Sequence, residues 1–123
     1  MKFWQTAPIL LPAIRAGELD GRFINFTADL GAAGDWIADL RNVNVIVSRR
    51  DGFPITDGVD LHVAGPTSWP NTLDPTGLIL TIGLQAPGAC AGVGYILTVV
   101  VSTTAAGRIF VRDATIDVLA HMG

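Results

Sequence analysis

The chain has 123 residues and a formal net charge of −3; half of its residues are hydrophobic and only 15% are charged. That length suits one domain able to fill a core without disulfides or metal, and the single cysteine, Cys90, leaves no internal bridge to form. Scattered basic residues argue against a nucleic acid or an acidic membrane as partner, while a mean hydropathy of +0.46 is high for a small soluble monomer, so part of the surface is expected to be covered by other chains or to touch lipid.

Residues 1–22 are apolar but irregular. Pro8 and Pro12 forbid a regular helix, and Gly17, Glu18, Asp20 and Gly21 mark a loop. Two readings stand side by side: an edge segment laid over the domain, or an extended N-terminal arm that docks on a neighbour. The second has a physical motive, since Phe3, Trp4, Ile9, Leu10 and Leu11 are costly to leave in water, each burial being worth roughly 1.5–3 kcal/mol. The opening residues show no basic region leading into a long apolar run, and Pro8 and Pro12 bracket Ile9, Leu10 and Leu11 too tightly for a signal peptide. The chain is therefore expected to act where it is made, or in an assembly built there.

From residue 23 to the end the pattern is that of a single sandwich domain. Period-two alternation predicts a strand over 23–28, with Ile24, Phe26 and Ala28 in one phase. Trp36, Ile37 and Leu40 suit either one helical turn capped by Asp35 or the start of the next strand, with Trp36 in the core. Strands are expected over 43–48, ending in the turn signal Arg49-Arg50-Asp51-Gly52, and over 59–63. The prolines 66, 70 and 75 make 65–76 too long for a tight hairpin and suggest a crossover between sheets. Trp69, in that proline-rich loop, is expected at the surface as an interface anchor.

Three β-branched segments close the chain: 78–84, 95–103 and 109–119. Leu78, Leu80, Ile82 and Leu84 share one phase, as do Tyr95, Leu97, Val99 and Val101, and then Ala114, Ile116 and Val118. The other phase of 95–103, with Ile96 and Val100, is also partly apolar. Residues 104–107 supply a glycine turn for an antiparallel hairpin. Six or seven short strands at this spacing predict an all-β, immunoglobulin-like antiparallel β-sandwich of about seven strands, with residues 1–22 as arm or edge segment and 23–123 as the domain. A membrane span is not expected: Gln85, Pro87 and five glycines break the uncharged stretch between Asp74 and Arg108 below the ~20 apolar residues a helix needs.

Chemistry is sparse. The glycines 88, 92 and 94 read GxxxGxG and lead into a strand, which fits neither a dinucleotide fingerprint nor a phosphate loop. His62 beside Asp60, with a distant serine, is raw material for a triad, but no nucleophile elbow accompanies it and a solvated strand face is the plainer reading. Asp51, Asp57 and Asp60 lie in one loop region where calcium is conceivable, although the spacing is not that of an EF-hand and turn-forming aspartates explain it. No enzyme and no cofactor are expected.

One resemblance emerges from the motifs. The run from Gly88 to Thr98, with Tyr95 opening a strand after a glycine-rich turn, is followed by Ser102-Thr103-Thr104-Ala105-Ala106-Gly107-Arg108. Upstream stand Asp29-Leu30 and Gly34-Asp35-Trp36-Ile37. Together they resemble the phage fibre-tail adaptor family across roughly residues 23–119. The chain departs in having Leu84-Gln85-Ala86-Pro87-Gly88 where the family opens with Trp-Leu-x-Gly-Gly, and in its longer apolar N-terminal segment. The resemblance implies a structural protein of a tailed-phage or prophage virion, attaching tail fibres to the tail tube or nozzle and standing in copies around the tail axis, with Phe3, Trp4, Ile9, Leu10, Leu11 and Trp69 as candidate contacts. A carbohydrate-binding sandwich, stacking sugars on Trp69, is the alternative.

Overall fold

A computed structural model describes residues 8–103 and 108–120, so the expectations placed on Phe3, Trp4, the 104–107 turn and His121 lie outside the described residues. In chain order the strands are β1 (Ile9–Leu10), β2 (Ile14–Arg15), β3 (Leu19–Asn25), β4 (Val43–Arg49), β5 (His62–Val63), β6 (Thr72–Leu73), β7 (Ile79–Gln85), β8 (Gly94–Ser102) and β9 (Ile109–Leu119). Among the described residues the only helical pieces are short 3-10 turns.

The strands form two sheets. The first has the order β1-β9-β8-β4, with β2 also on β9; the second has β3-β7-β5, with β6 also on β7. This division, with the N-terminal pieces running parallel to the last strand and every other pairing antiparallel, is that of an immunoglobulin-like sandwich. Alternation decides which side of each strand faces the core. Leu80, Ile82 and Leu84 of β7, Tyr95, Leu97, Val99 and Val101 of β8, and Ala114, Ile116 and Val118 of β9 are all buried, in the phases read from the sequence. Phe26 meets Phe110 edge to face at 6.2 Å between ring centres, closing one end of that interior.

Residues 9–15 lie along β9, Ile9 opposite Ala114 and Ile14 opposite Val118, and Ile14 is fully buried. Pro12 splits this edge into two pieces because proline cannot donate to a ladder. The strand expected at 23–28 begins earlier, at Leu19, and ends at Asn25. Glycine at 21 signals a close approach there rather than a turn: Gly21 sits opposite Gly83 on β7, and the Trp69 indole lies over the pair, where a Cβ on either glycine would collide with it.

The 65–76 connection is not a crossover between sheets. β5 and β6 both pair with β7, so they are two halves of one edge strand, and residues 64–71 leave it and return. Pro66 and Pro70 cannot join the ladder. Ala64 N donates to the Gly83 carbonyl at 2.8 Å, and the Asn71 side chain accepts from Gly83 N at 3.1 Å, standing in for the missing neighbour. The expected 59–63 strand accordingly shrinks to His62–Val63.

Trp36 is the other correction. It stands 47% exposed, while Ile37 is buried, donates its N–H to the Gly77 carbonyl and bridges to Thr103. Neighbours on an extended chain face opposite ways, and the smaller side chain takes the interior. The helical turn lies further on, at Leu40–Asn42, capped by Asp39 rather than Asp35.

Candidate functional site

Asp35 and Asp60 are the buried carboxylates among the described residues, and titratable groups gather most closely around Asp60. Its Oδ1 accepts from the Tyr95 hydroxyl at 2.6 Å and from Arg49 at 3.1 Å, and its Oδ2 accepts from Thr56 N at 2.8 Å. Hydrogen bonding, first from Tyr95 and then from Thr56 N and Arg49, holds the Asp60 carboxyl below the usual range despite burial. Burial, then the neighbouring carboxylate, pushes the Tyr95 phenol up. Arg49 also grips Asp51 at 2.6 Å and lies over the Phe53 ring. The knot ties the start of β8 to the loop after β4.

That arrangement changes how the sequence candidates read. Asp51 and Asp60 are bridged by an arginine, a poor start for a cation site, and no group of three potential ligands gathers among the described residues. The His62 ring faces the Asp60 backbone carbonyl at 3.2 Å, not the carboxylate, so no aspartate-histidine pair forms. A shallow depression of about 270 Å³ opens beside them, lined by Ile55, Thr56, Asp57, Gly58, Asp60 and His62. Cys90 is buried, donating to the Pro87 carbonyl, and burial pushes its thiol up, away from reactivity.

The motifs behind the family resemblance also meet in space. Asp35 lies 3.7 Å from Arg108, and Asp29 lies 3.7 Å from Arg112, so both upstream acidic residues are joined to β9 and the approach to it at one end of the sandwich. Tyr95 opens β8 and supplies the hydroxyl of the knot. These residues hold the fold's two ends in place, which is a structural role.

Of the expected contact residues, Ile9, Leu10, Leu11 and Trp69 converge on one region. A groove of about 480 Å³ is lined by Ile9, Leu10, Leu11, Pro12, Gly21, Arg22 and Phe23. Arg22 crosses it, donating to the carbonyls of Pro12 and Ala13 and to Asp20. Gly21 is shared between this groove and the seat of Trp69. Leu10 stands 83% and Phe23 68% exposed at its rim. Trp69 itself is half buried, one face spent on the glycine pair.

A second surface was not singled out in the sequence. On the outer face of the first sheet, β8 presents Ile96, Thr98, Val100 and Ser102, β4 presents Asn44, Ile46 and Ser48, and β9 presents Ile109, Val111, Asp113 and Thr115. Val100 lies directly opposite Val111, and Ile46, Ile109 and Val111 are each at least half exposed. Asp113, which accepts from the Thr98 hydroxyl, is charged, and in the same phase Asp117 pairs with Arg50 at the end of the face. The available signal was the second phase of β8 and β9, where isoleucine and valine stand at positions a solvated face fills with charge.

No family model matches the chain, and no curated protein matches it. Solved structures do: an endo-fucoidan hydrolase from glycoside hydrolase family 107, in a single-substitution variant, is similar over 98% of this chain at 13% identity with a TM-score of 0.52. A second structure of that hydrolase is similar over 97% of the chain at 11% identity, TM-score 0.48. The chain spans 14% of the hydrolase in each case. The first likeness is one of fold: a β-sandwich of this shape occurs as a segment of a larger protein. Among the described residues no helix is long and apolar enough to cross a membrane.

Proposed function

We propose that this chain is a non-catalytic adaptor of a tailed-phage or prophage virion, a β-sandwich that joins tail fibres to the tail tube or nozzle through protein-protein interfaces. The observation that carries the reading is the apolar, charge-poor outer face of the first sheet. Large apolar residues scattered singly need no explanation, but Ile46, Ile96, Val100, Ile109 and Val111 share one face whose charges are Asp113 and, at the end near Gly94, the Arg50–Asp117 pair. Covering such a face with protein resembles completing a core, and this is how obligate interfaces are built. The resemblance in 88–98, 102–108 and the upstream acidic motifs supplies the kind of assembly. The groove at Ile9, Leu10 and Leu11, with Phe23 at its rim, offers a second contact on the opposite side, as a connector between two partners requires.

Mass spectrometry of purified particles from a lysogen or lysate encoding the chain tests the reading. The chain is expected in the particle at a fixed ratio to tail proteins, and particles lacking it are expected to carry no fibres. A chain absent from particles, or particles that keep their fibres without it, would remove the proposal.

One observation favours a saccharide-binding module instead: exposed Phe23 shares the outer face of the second sheet with Trp69, two aromatic rings beside the polar Thr81 and Gln85. Calorimetric titration with neutral and sulfated oligosaccharides separates the readings, since heat lost on Phe23→Ala would favour the saccharide.

A further inference from the structure

The two sheets present four edges, and three carry devices that discourage another strand from adding. The edge along β9 is covered by two-residue pieces broken at Pro12. The free side of β3 carries Asp20 and Arg22, with the guanidinium of Arg22 tied to the carbonyls of Pro12 and Ala13. The β5–β6 edge is interrupted by the 64–71 excursion with its two prolines. The fourth edge, β4, has none of these. From Val43 to Ser48 it contains no proline, glycine or charge, and although the Val43 N–H is taken by the Leu40 carbonyl, among the described residues the backbone N–H groups of 44–48 have no backbone partner outside the ladder to β8. Its inward residues Val43, Val45 and Val47 pack on the core yet remain half buried, so the sandwich is open along this side.

The strand is also its own complement. We propose that β4 pairs antiparallel with β4 of a second copy about a two-fold axis through Ile46, fusing the two first sheets into one continuous sheet. In that register Ile46 meets its counterpart, Val45 meets Val47, and Asn44 meets Ser48. Arg49 falls opposite Val43, so no like charges oppose each other. Alternation is preserved across the axis: the valines of both copies stay on the core side, each row covering the other's open flank, and the outer faces join. The unpaired peptide groups of both edges are satisfied at the same time. The inference uses the strand's edge rather than the sheet's outer face and holds whether or not the larger assembly is a phage tail.

Sedimentation equilibrium of the full chain across the micromolar range, with variants, is the test. The parent is expected to dimerise. Ile46→Lys, at a half-exposed position that spares the core, puts two like charges at the axis and removes two apolar contacts, and is expected to weaken the dimer by about a hundredfold. Val111→Lys, on the same outer face but two strands away, is expected to leave it unchanged. Ile46→Cys is expected to cross-link two copies on mild oxidation, the native Cys90 being buried, whereas Val111→Cys is not. A parent that stays monomeric, a dimer that survives Ile46→Lys, or one lost equally with Val111→Lys would overturn the proposal. Should Ile46→Lys fail to fold, the presence or absence of the Ile46→Cys cross-link decides it.

Discussion

The two sheets share one core yet treat their outer faces in opposite ways. On the second sheet the chain covers itself: residues 64–71 leave the edge, and Trp69 is laid over Gly21 and Gly83, two glycines whose missing side chains make room for the indole. On the first sheet nothing in the described chain returns to cover β4, β8 and β9, and their outward isoleucines and valines stay open. The second sheet's face is covered at its glycine pair, with Phe23 still exposed beside it, whereas the first sheet's is left to something outside the fold. The difference teaches that apolar content alone does not locate an interface; what matters is whether the fold has already used it.

Substitution sharpens that contrast, and the largest effects belong to the self-covered face. Gly83→Val drives a branched side chain into the Trp69 indole and backbone from a central strand, and is expected to cost about 3 kcal/mol or to prevent folding, read by chemical denaturation. Trp69→Ala uncovers the glycine pair and is expected to cost about 2 kcal/mol by the same measurement, with no new oligomer formed. Equal costs for Trp69→Ala and for truncations on the first sheet's outer face would dissolve the comparison.

The knot beneath both sheets comes next. Tyr95→Phe leaves Asp60 short of one donor and is expected to cost roughly 1–3 kcal/mol at neutral pH. The pH dependence follows from the direction of the shifts. The Asp60 carboxyl is lowered in the fold, so its contribution is present above the unfolded value of about 4 and is lost as pH falls through the folded one. The Tyr95 phenol is raised, so its contribution is present below the unfolded value of about 10 and is lost as pH rises through the folded one. Denaturation midpoints against pH should show Tyr95→Phe flattening the alkaline limb. Asp60→Asn should reduce the acid limb without abolishing it, because Asp20, Asp39, Asp51 and Asp74 are lowered too.

The smallest effect on stability belongs to the open face. Val100→Thr and Val111→Thr are expected to change the unfolding free energy by no more than about 0.5 kcal/mol, while reducing association with whatever covers the sheet. A large stability loss there would mean the face is already packed in the free chain.

The contrast also explains what was legible in the sequence. The β8–β9 hairpin could be read residue by residue because its inward phase is apolar over most of its length: Tyr95, Leu97, Val99 and Val101 lie beside Ala114, Ile116 and Val118 on the inner face of one sheet. Trp36 is placed wrongly by its sequence neighbours, since tryptophan is large enough to be either core or surface and only the packed neighbours decide. Ile37 takes the interior in place of Trp36, and two glycines, Gly21 and Gly83, 62 positions apart and in no local pattern, make the seat for Trp69. The same long-range pairing hid Gly21, which reads as a turn until Gly83 is set opposite it. Ile9, Leu10 and Leu11 were recognisable as residues needing cover, but their place along β9 depends on a partner strand a hundred residues downstream, beyond the reach of periodicity. The open face was the harder omission: its signal lay in the outward phase of strands whose inward phase had already explained them.

Electron cryomicroscopy of a tail particle containing the chain tests the central claim most directly. The account predicts that Ile46, Ile96, Val100, Ile109 and Val111 are buried against another polypeptide in the assembled particle. A map in which the chain is present and that face meets only solvent would contradict it.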